Sequence, residues 1–188
     1  HSDHRRQRQM CIRDSNKAMK HLVISTSRSP ESKSRILAKH FYAELKDVEV
    51  QYLDIAAYEL PHCDAAECYA HPNVKKRSEI ISDADGILVC TPIYNYAAAS
   101  TAKNLIELTG QAWKDKVVAS ACAAGGVFSY MAMLSFLNSL MIDFRCHVVP
   151  RFVYAMEKDF EGENLVNEDV LKRSAQLVEE FVRVTKAL

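Results

Sequence analysis

Apolar residues along this chain gather in short solid runs, and between the runs they recur at helical spacing. Residues 21–24 (HLVI) form the first run. The hydroxyl-rich segment 25–34 (STSRSPESKS) follows, and then Leu37, Phe41 and Leu45 recur every four positions, which predicts strand, loop and helix. Residues 48–53 read as a second strand and 74–84 as a charged surface helix ending before Asp85 and Gly86. Residues 87–90 (ILVC) are apolar throughout, as a central parallel strand should be. Residues 91–96 (TPIYNY) read as a loop, and 97–109 as a helix that Gly110 closes. A fourth strand at 116–122 leads through the small-residue loop 123–126 (AAGG) into a helix over 127–142, with Leu134, Leu137 and Met141 on one side. Residues 145–149 give the fifth strand, stopped at Pro150. The last helix takes Asn167 as N-cap and carries Glu168 and Asp169 in its first turn, with an apolar stripe of Val170, Leu171, Leu177, Val178 and Phe181.

Five strands alternating with five helices, without internal repeats or a low-complexity linker, predict an α/β domain with a parallel sheet. In an open sheet of this kind a ligand sits beyond the carboxyl ends of the strands, where strand order reverses. The unusual loops should then follow strands 1, 3 and 4, and they do. After strand 1 come Ser25, Thr26, Ser27, Ser29, Ser32 and Ser34. One helix cap accounts for one serine, not for six hydroxyls. Hydroxyls together with the unpaired N–H groups of a helix amino end make an anion site, and a phosphate monoester fits it. The glycine patterns of the Walker loop and of the dinucleotide fingerprint are both absent. Asp54, after strand 2, therefore reads as an ordinary strand-end polar residue. The second loop offers Pro92, Tyr94, Asn95 and Tyr96, and the third Gly125 and Gly126. An aromatic face on one side and close backbone on the other suit a planar heterocycle.

Length and composition narrow the class. The 188 residues are 48% hydrophobic and 26% charged with 5 Gly and 5 Pro, which fits one packed domain and excludes a disordered or collagen-like chain. No apolar run reaches the ~20 residues of a membrane span. Net charge is zero, but the first 20 residues hold six Lys/Arg and two Asp, leaving 18 basic against 22 acidic in the rest. A mildly acidic body does not attract phosphate backbones, so nucleic acid is not an expected partner. Residues 1–18 lack a sustained apolar period and read as a disordered or non-native extension, Met10 and Met19 each being a plausible start, with the domain at 19–188. Three of the six cysteines lie in or beside strand-like runs, which fits buried thiols and a cytoplasmic location. His62, Cys63, Cys68 and His71 invite a zinc reading, but the paired C-x-x-C spacing is missing, and a surface loop near a subunit interface is the better one.

The serine loop, the stretch 84–96 (ADGILVCTPIYNY) with Lys103 and Asn104 behind it, and the Gly125-Gly126 loop together resemble the NADPH-dependent FMN reductase family. The resemblance covers the chain from about Lys20 onward. It implies a flavodoxin-like three-layer sandwich with a five-stranded parallel sheet in the order 2-1-3-4-5. It also implies noncovalent FMN, NADPH or NADH as hydride donor, and a small electron acceptor such as a flavin, a quinone or an azo compound. The candidate cofactor-binding residues are Ser25, Ser27, Arg28, Ser29, Ser32 and Ser34 in the first loop. Pro92, Ile93, Tyr94, Asn95 and Tyr96 belong to the second, and Ala124, Gly125 and Gly126 to the third. Thr26 stands where the family usually has Gly, and Ile93 where Glu is frequent. The isoalloxazine carries the hydride chemistry itself, so no side chain is assigned as catalytic acid, base or nucleophile, and none as a metal ligand. Family members commonly pair, which implies a homodimer or homotetramer, with residues 56–72 as candidate interface. The alternative on the same fold is a flavodoxin-type electron carrier that takes no hydride. A receiver-like signalling module would need an acidic cluster after strand 1, where serines stand instead.

Overall fold

The computed structural model describes residues 18–188, so the extension expected at 1–18 lies, but for Ala18, outside the described residues. Strand β1 (Lys20–Ser25) alternates as a two-faced strand must: Leu22 and Ile24 enter one apolar layer and Val23 the other. Helix α1 (Lys33–Glu44) begins at Ser32, whose hydroxyl caps it by accepting from the Arg35 amide at 3.1 Å. Strand β2 (Glu49–Asp54), helix α2 (Pro72–Asp83) and strand β3 (Gly86–Tyr94) follow. A two-residue strand β4 (Ala97–Ala98) folds back on β3. Next come helix α3 (Ser100–Thr109), strand β5 (Val117–Ala124), helix α4 (Leu134–Phe144) and strand β6 (His147–Met156). A small hairpin, β7 (Phe160–Glu161) with β8 (Asn164–Leu165), precedes the last helix α5 (Glu168–Ala187).

The main strands pair in the order β2-β1-β3-β5-β6, all parallel, which is the expected 2-1-3-4-5 arrangement of the five long strands. Helices α2, α3 and α4 pack over the face that carries Leu22, Ile24, Ile87 and Val118, and α1 and α5 over the face that carries Val23, Leu88 and Ala119. The α5 contact is close. A β-carbon at Gly86 would lie 2.6 Å from Thr185 Oγ1 and 2.9 Å from the Phe181 ring. The expected N-cap is in place, with Asn167 Oδ1 accepting from the amides of Asp169 and Val170.

Five expectations need correction. Strand β3 does not end at Cys90 but runs on to Tyr94, through Pro92. Cys90 O accepts from the Thr26 amide of the β1 side, so Pro92, two residues on, faces the same way. β1 pairs with β3 only as far as Ser25 opposite Cys90, so the missing N–H of Pro92 falls on an edge with no strand to bond. Helix α3 accordingly starts at Ser100, not at 97. The helix expected over 127–142 starts only at Leu134, after a tight turn at Val127–Ser129. The 18-residue stretch Val127–Phe144 is apolar enough for a membrane span, yet its helix has 11 residues, about 16 Å at 1.5 Å per residue, half of a hydrocarbon core. Finally, Pro150 does not stop the fifth strand. A register shift opposite Val118 and Ser120 absorbs it, and pairing resumes at Phe152. Arg145, expected as the first residue of that strand, ends α4 in the left-handed conformation (φ 54°).

Candidate active site

The loops after β1, β3 and β5 meet at one end of the sheet, around an open cradle of about 160 Å³. Ser29, Ser32 and Ser34 line it from the first loop, Pro92, Ile93 and Tyr94 from the second, and Ala124 and Gly125 from the third. These are eight of the fourteen residues singled out in the sequence. The α1 amino end faces this space. Its first-turn amides at Lys33 and Ser34 have no partner within the helix, and Ser32 Oγ and Ser34 Oγ lie 3.0 Å apart. Glu31, Lys33 and Glu157 line the cradle too, the Lys33 ammonium donating to Gly162 O at 3.3 Å and lying 5.7 Å from the centre of the Phe160 ring.

The other candidates are elsewhere. Ser25 is buried in the sheet, on the same face as Val23. Ser27 shapes the loop, its hydroxyl accepting from the Ser29 amide at 3.2 Å. Arg28 turns away from the cradle into a separate cavity. Asn95 and Tyr96 form the β3–β4 turn with φ of 48° and 64°, the pair of positive values that a two-residue hairpin of this twist demands. Gly126 lies next to the cradle, its carbonyl accepting from the Tyr154 hydroxyl. Thr26 is fully buried, and both its amide and its hydroxyl donate to Cys90 O, at 3.0 and 3.2 Å. Its φ is not positive, so the backbone does not call for glycine there.

Sequence reasoning missed the side chain that sets the first loop. Arg35 donates to the carbonyls of Ser27 (3.0 Å) and Ser29 (2.7 Å), and its Nε pairs with Asp54 at 2.6 Å. Turning these carbonyls toward one guanidinium fixes the loop's shape and leaves its other side to the cradle. Asp54, read from the sequence as an ordinary polar residue, is the counter-charge, and it also accepts from the Ala56 amide. The signal was available: an arginine in the first turn of a helix opposes the helix dipole and so needs a nearby reason.

Neither core thiol in the central strands has the character of a nucleophile. Burial pushes the Cys122 thiol up to about 12 and the Cys90 thiol well above its usual value, so both stay protonated and inert. Among the described residues no three His, Cys, Asp or Glu side chains are grouped to hold a metal ion.

The cradle fits an FMN phosphate and ring by its chemistry. It offers hydroxyls and helix-end amides for an anion, tyrosines for a planar face, and a glycine loop above which space is open. A β-carbon added at Gly125 or Gly126 would meet nothing within 4 Å, and neither residue has positive φ, so the backbone conformation alone does not require glycine. Tyr94, in the cradle wall, is 55% exposed, while Tyr96 in the adjoining turn is 57% and Phe128 89% exposed.

Comparison with known proteins agrees with this geometry. The profile of the NADPH-dependent FMN reductase family matches residues 19–161. An NAD(P)H-dependent FAD/FMN reductase of Geobacillus thermodenitrificans is 31% identical over 160 residues, covering 81% of this chain and 86% of the relative. An NADPH azoreductase of Bacillus sp. is 25% identical over 90% of this chain and 92% of its own. Among solved structures, the NAD(P)H:(acceptor) oxidoreductase FerB from Paracoccus denitrificans superposes with a TM-score of 0.76 at 19% identity, over 90% of this chain and 98% of that one. An apo NADH:FMN oxidoreductase gives 0.75 at 19% identity, over 88% and 89%.

Proposed function

The chain belongs to the NADPH-dependent FMN reductase family and is an NAD(P)H-dependent flavin oxidoreductase, and from that premise we propose how its own residues do the work. The α1 amino end, with Ser29, Ser32, Ser34 and Lys33, holds the FMN phosphate. Pro92, Ile93 and Tyr94 flank the ribityl chain and ring, and Ala124, Gly125 and Gly126 hold the ring's other edge. When bound, the flavin supplies hydride acceptance and electron transfer. Tyr94, Tyr96 and Phe128 receive a flat acceptor at the open face: a flavin, a quinone or an azo compound. The single observation that carries this reading is the convergence of three strand-end loops on one cradle that joins helix-end donors to an unobstructed glycine loop.

The purified protein is expected to be yellow and to release FMN on denaturation. NADPH or NADH should bleach it, and air or a quinone should restore the colour. Colourless protein that also fails to take up added FMN overturns the assignment. Bleaching by dithionite but by neither nicotinamide would make it a one-way electron carrier.

The finer partner reading is a homodimer. Val127, Phe128, Met131, Leu134 and Ile142 are 50 to 89% exposed on one short stretch beside the third loop, and such a patch is better covered by a second copy than by water. Segment 56–72 suits this role less. Its Leu60, Cys63 and Cys68 pack inward with Val74 and Leu108. A monomeric mass at working concentration would refute the pairing. Among the described residues five cysteines are free and four of them are buried, which is consistent with a reducing, cytoplasmic setting.

A further inference from the structure

The connection between β2 and α2 gathers two cysteines for which the reductase site has no use. Asp64 closes a turn there, its Oδ1 accepting from the Ala66 amide at 2.9 Å and from the Cys68 amide at 3.1 Å, and Ala65 inside the turn is left-handed at φ 58°. The chain doubles back, and Cys68 returns toward Cys63. Both backbones are pinned from outside the turn. The Cys63 amide donates to Asn104 Oδ1 of α3 at 2.9 Å, and Cys68 O accepts at 3.2 Å from the amide of His71, the α2 N-cap.

The two sulfurs differ in access. Cys68 is buried with Val74 and Leu108, whereas Cys63 packs against that cluster and stays partly exposed, alone among the five described cysteines. Burial, then the Asp64 carboxylate, and to a smaller extent the Cys63 side chain, push the Cys68 thiol up, so it waits protonated. Cys63 Sγ has a further neighbour, the Tyr69 hydroxyl at 3.7 Å, a donor for the thiolate when the sulfur attacks. An accessible sulfur beside a donor, with a shielded thiol held against it, is the arrangement of an attacking and a resolving cysteine.

We propose that Cys63 and Cys68 form a reversible disulfide, with hydrogen peroxide as the oxidant and Cys63 as the sulfur that meets it. The Cys63 thiolate attacks one peroxide oxygen and the O–O bond breaks. Cys63 becomes a sulfenic acid, and the departing hydroxide takes up the proton that the thiol released and leaves as water. Cys68 sulfur then attacks Cys63 sulfur. The S–S bond forms, the S–O bond breaks, and the Cys68 proton leaves with the hydroxyl as a second water. Two thiols thus lose two electrons and two protons, and one peroxide becomes two waters. A dithiol reductant reverses the bond, as befits a transient disulfide in a reducing compartment. The source of the oxidant rests on the reductase reading above, since reoxidation of the reduced enzyme by air releases peroxide beside this turn.

Trypsin gives the test a clean readout, because residues 47–75 form one peptide that holds both cysteines and no others. The FMN-loaded protein is treated with equimolar hydrogen peroxide, alkylated while denatured and digested. The peptide should be lighter by two hydrogens, refuse alkylation, and recover both thiols with dithiothreitol, while Cys90, Cys122 and Cys146 remain alkylatable. Cys68→Ser should leave Cys63 as a sulfenic acid that dimedone traps. Cys63→Ser should slow oxidation of Cys68 about tenfold or more, because the remaining thiol is shielded. The proposal falls if both thiols of the wild-type peptide still alkylate, if Cys63 gains oxygen without the loss of two hydrogens, if the bond joins two chains, or if Cys68 reacts as fast in Cys63→Ser. Disulfide formation in protein that neither nicotinamide bleaches would sink the reductase reading and leave the thiol pair standing. Normal bleaching with both thiols untouched by peroxide would do the reverse.

Discussion

Ser34 is where charge tests the cradle most directly. It sits in the first turn of α1, 1% exposed, with its hydroxyl beside that of Ser32. Ser34→Asp puts a carboxylate within a few ångströms of the expected phosphate, where like charges at an effective dielectric near 20 repel by about 4 kcal/mol. The same carboxylate interacts favourably with the helix amino end by about 0.3–1 kcal/mol, which offsets only part of the cost of burying a charge there, so apoprotein stability is measured alongside by urea denaturation. FMN affinity, measured by fluorescence quenching, should fall by about a hundredfold or more, and riboflavin affinity far less. Equal losses for the two ligands would show that the serines only cap and shape the helix. At this scale the sequence displayed the hydroxyls but not their division of labour. Ser27 turns the loop, Ser32 caps the helix, Ser34 faces the cradle, and Arg35 with Asp54 braces the whole. An arginine in the first turn of α1 hinted at a brace, but its partner Asp54 lies 19 positions away, where no local pattern assigns it.

Among the elements, the β3–β4 hairpin sets two consecutive non-glycine residues at positive φ. Asn tolerates the left-handed region well, but Tyr96 at φ 64° is a bulky residue where glycine is the usual occupant. Tyr96→Gly should raise apoprotein stability by about 1 kcal/mol in thermal or urea melts, because the strain of a left-handed non-glycine residue is of that order. It should also weaken a flat acceptor's KM, since the exposed ring is lost. A destabilised variant would mean that the ring's packing outweighs the strain. This turn shows why element ends were the weakest part of the sequence reading. Residues 94–97 look like loop and helix start, yet β3 outruns β1 and needs a partner, which the chain supplies by folding back. The β7–β8 hairpin was missed for a related reason: two-residue strands are too short to show alternation. Pro150 misled in the opposite direction, because on an edge strand a register shift accommodates a proline that would stop a central one.

For the whole molecule, the strand–helix alternation fixed the fold class, because period-2 and period-3.6 patterns survive any detail of loop conformation, whereas the strand order followed from the family resemblance. What it could not display was the chemistry folded into the core. His21 is 1% exposed, edge-on to Phe181 with ring centroids 5.2 Å apart, and burial lowers its affinity for a proton. The unfolded chain protonates at the ordinary value near 6.5, so below that pH it binds a proton that the folded state resists. Stability is then full above about pH 7 and declines as pH falls from about 6.5 toward the lowered folded value, by at most about 1.4 kcal/mol per pH unit for this residue. Urea denaturation at pH 7.5 and 5.5 should show the decline, and His21→Leu should flatten it. An unchanged slope in the variant would assign the pH dependence to other groups.

The close approach of α5 to Gly86 bears on how the chain is made. Gly86 begins the central strand, and the atoms crowding it belong to Phe181 and Thr185, a hundred residues downstream. The face carrying Val23, Leu88, Ala119 and Val153 is closed by Leu177 and Phe181, beyond the span the family profile recognises. A ribosome that has synthesised the whole cradle still holds back the helix that shields this face. The nascent protein must therefore wait, with apolar strands open to chaperones or to aggregation, until α5 emerges.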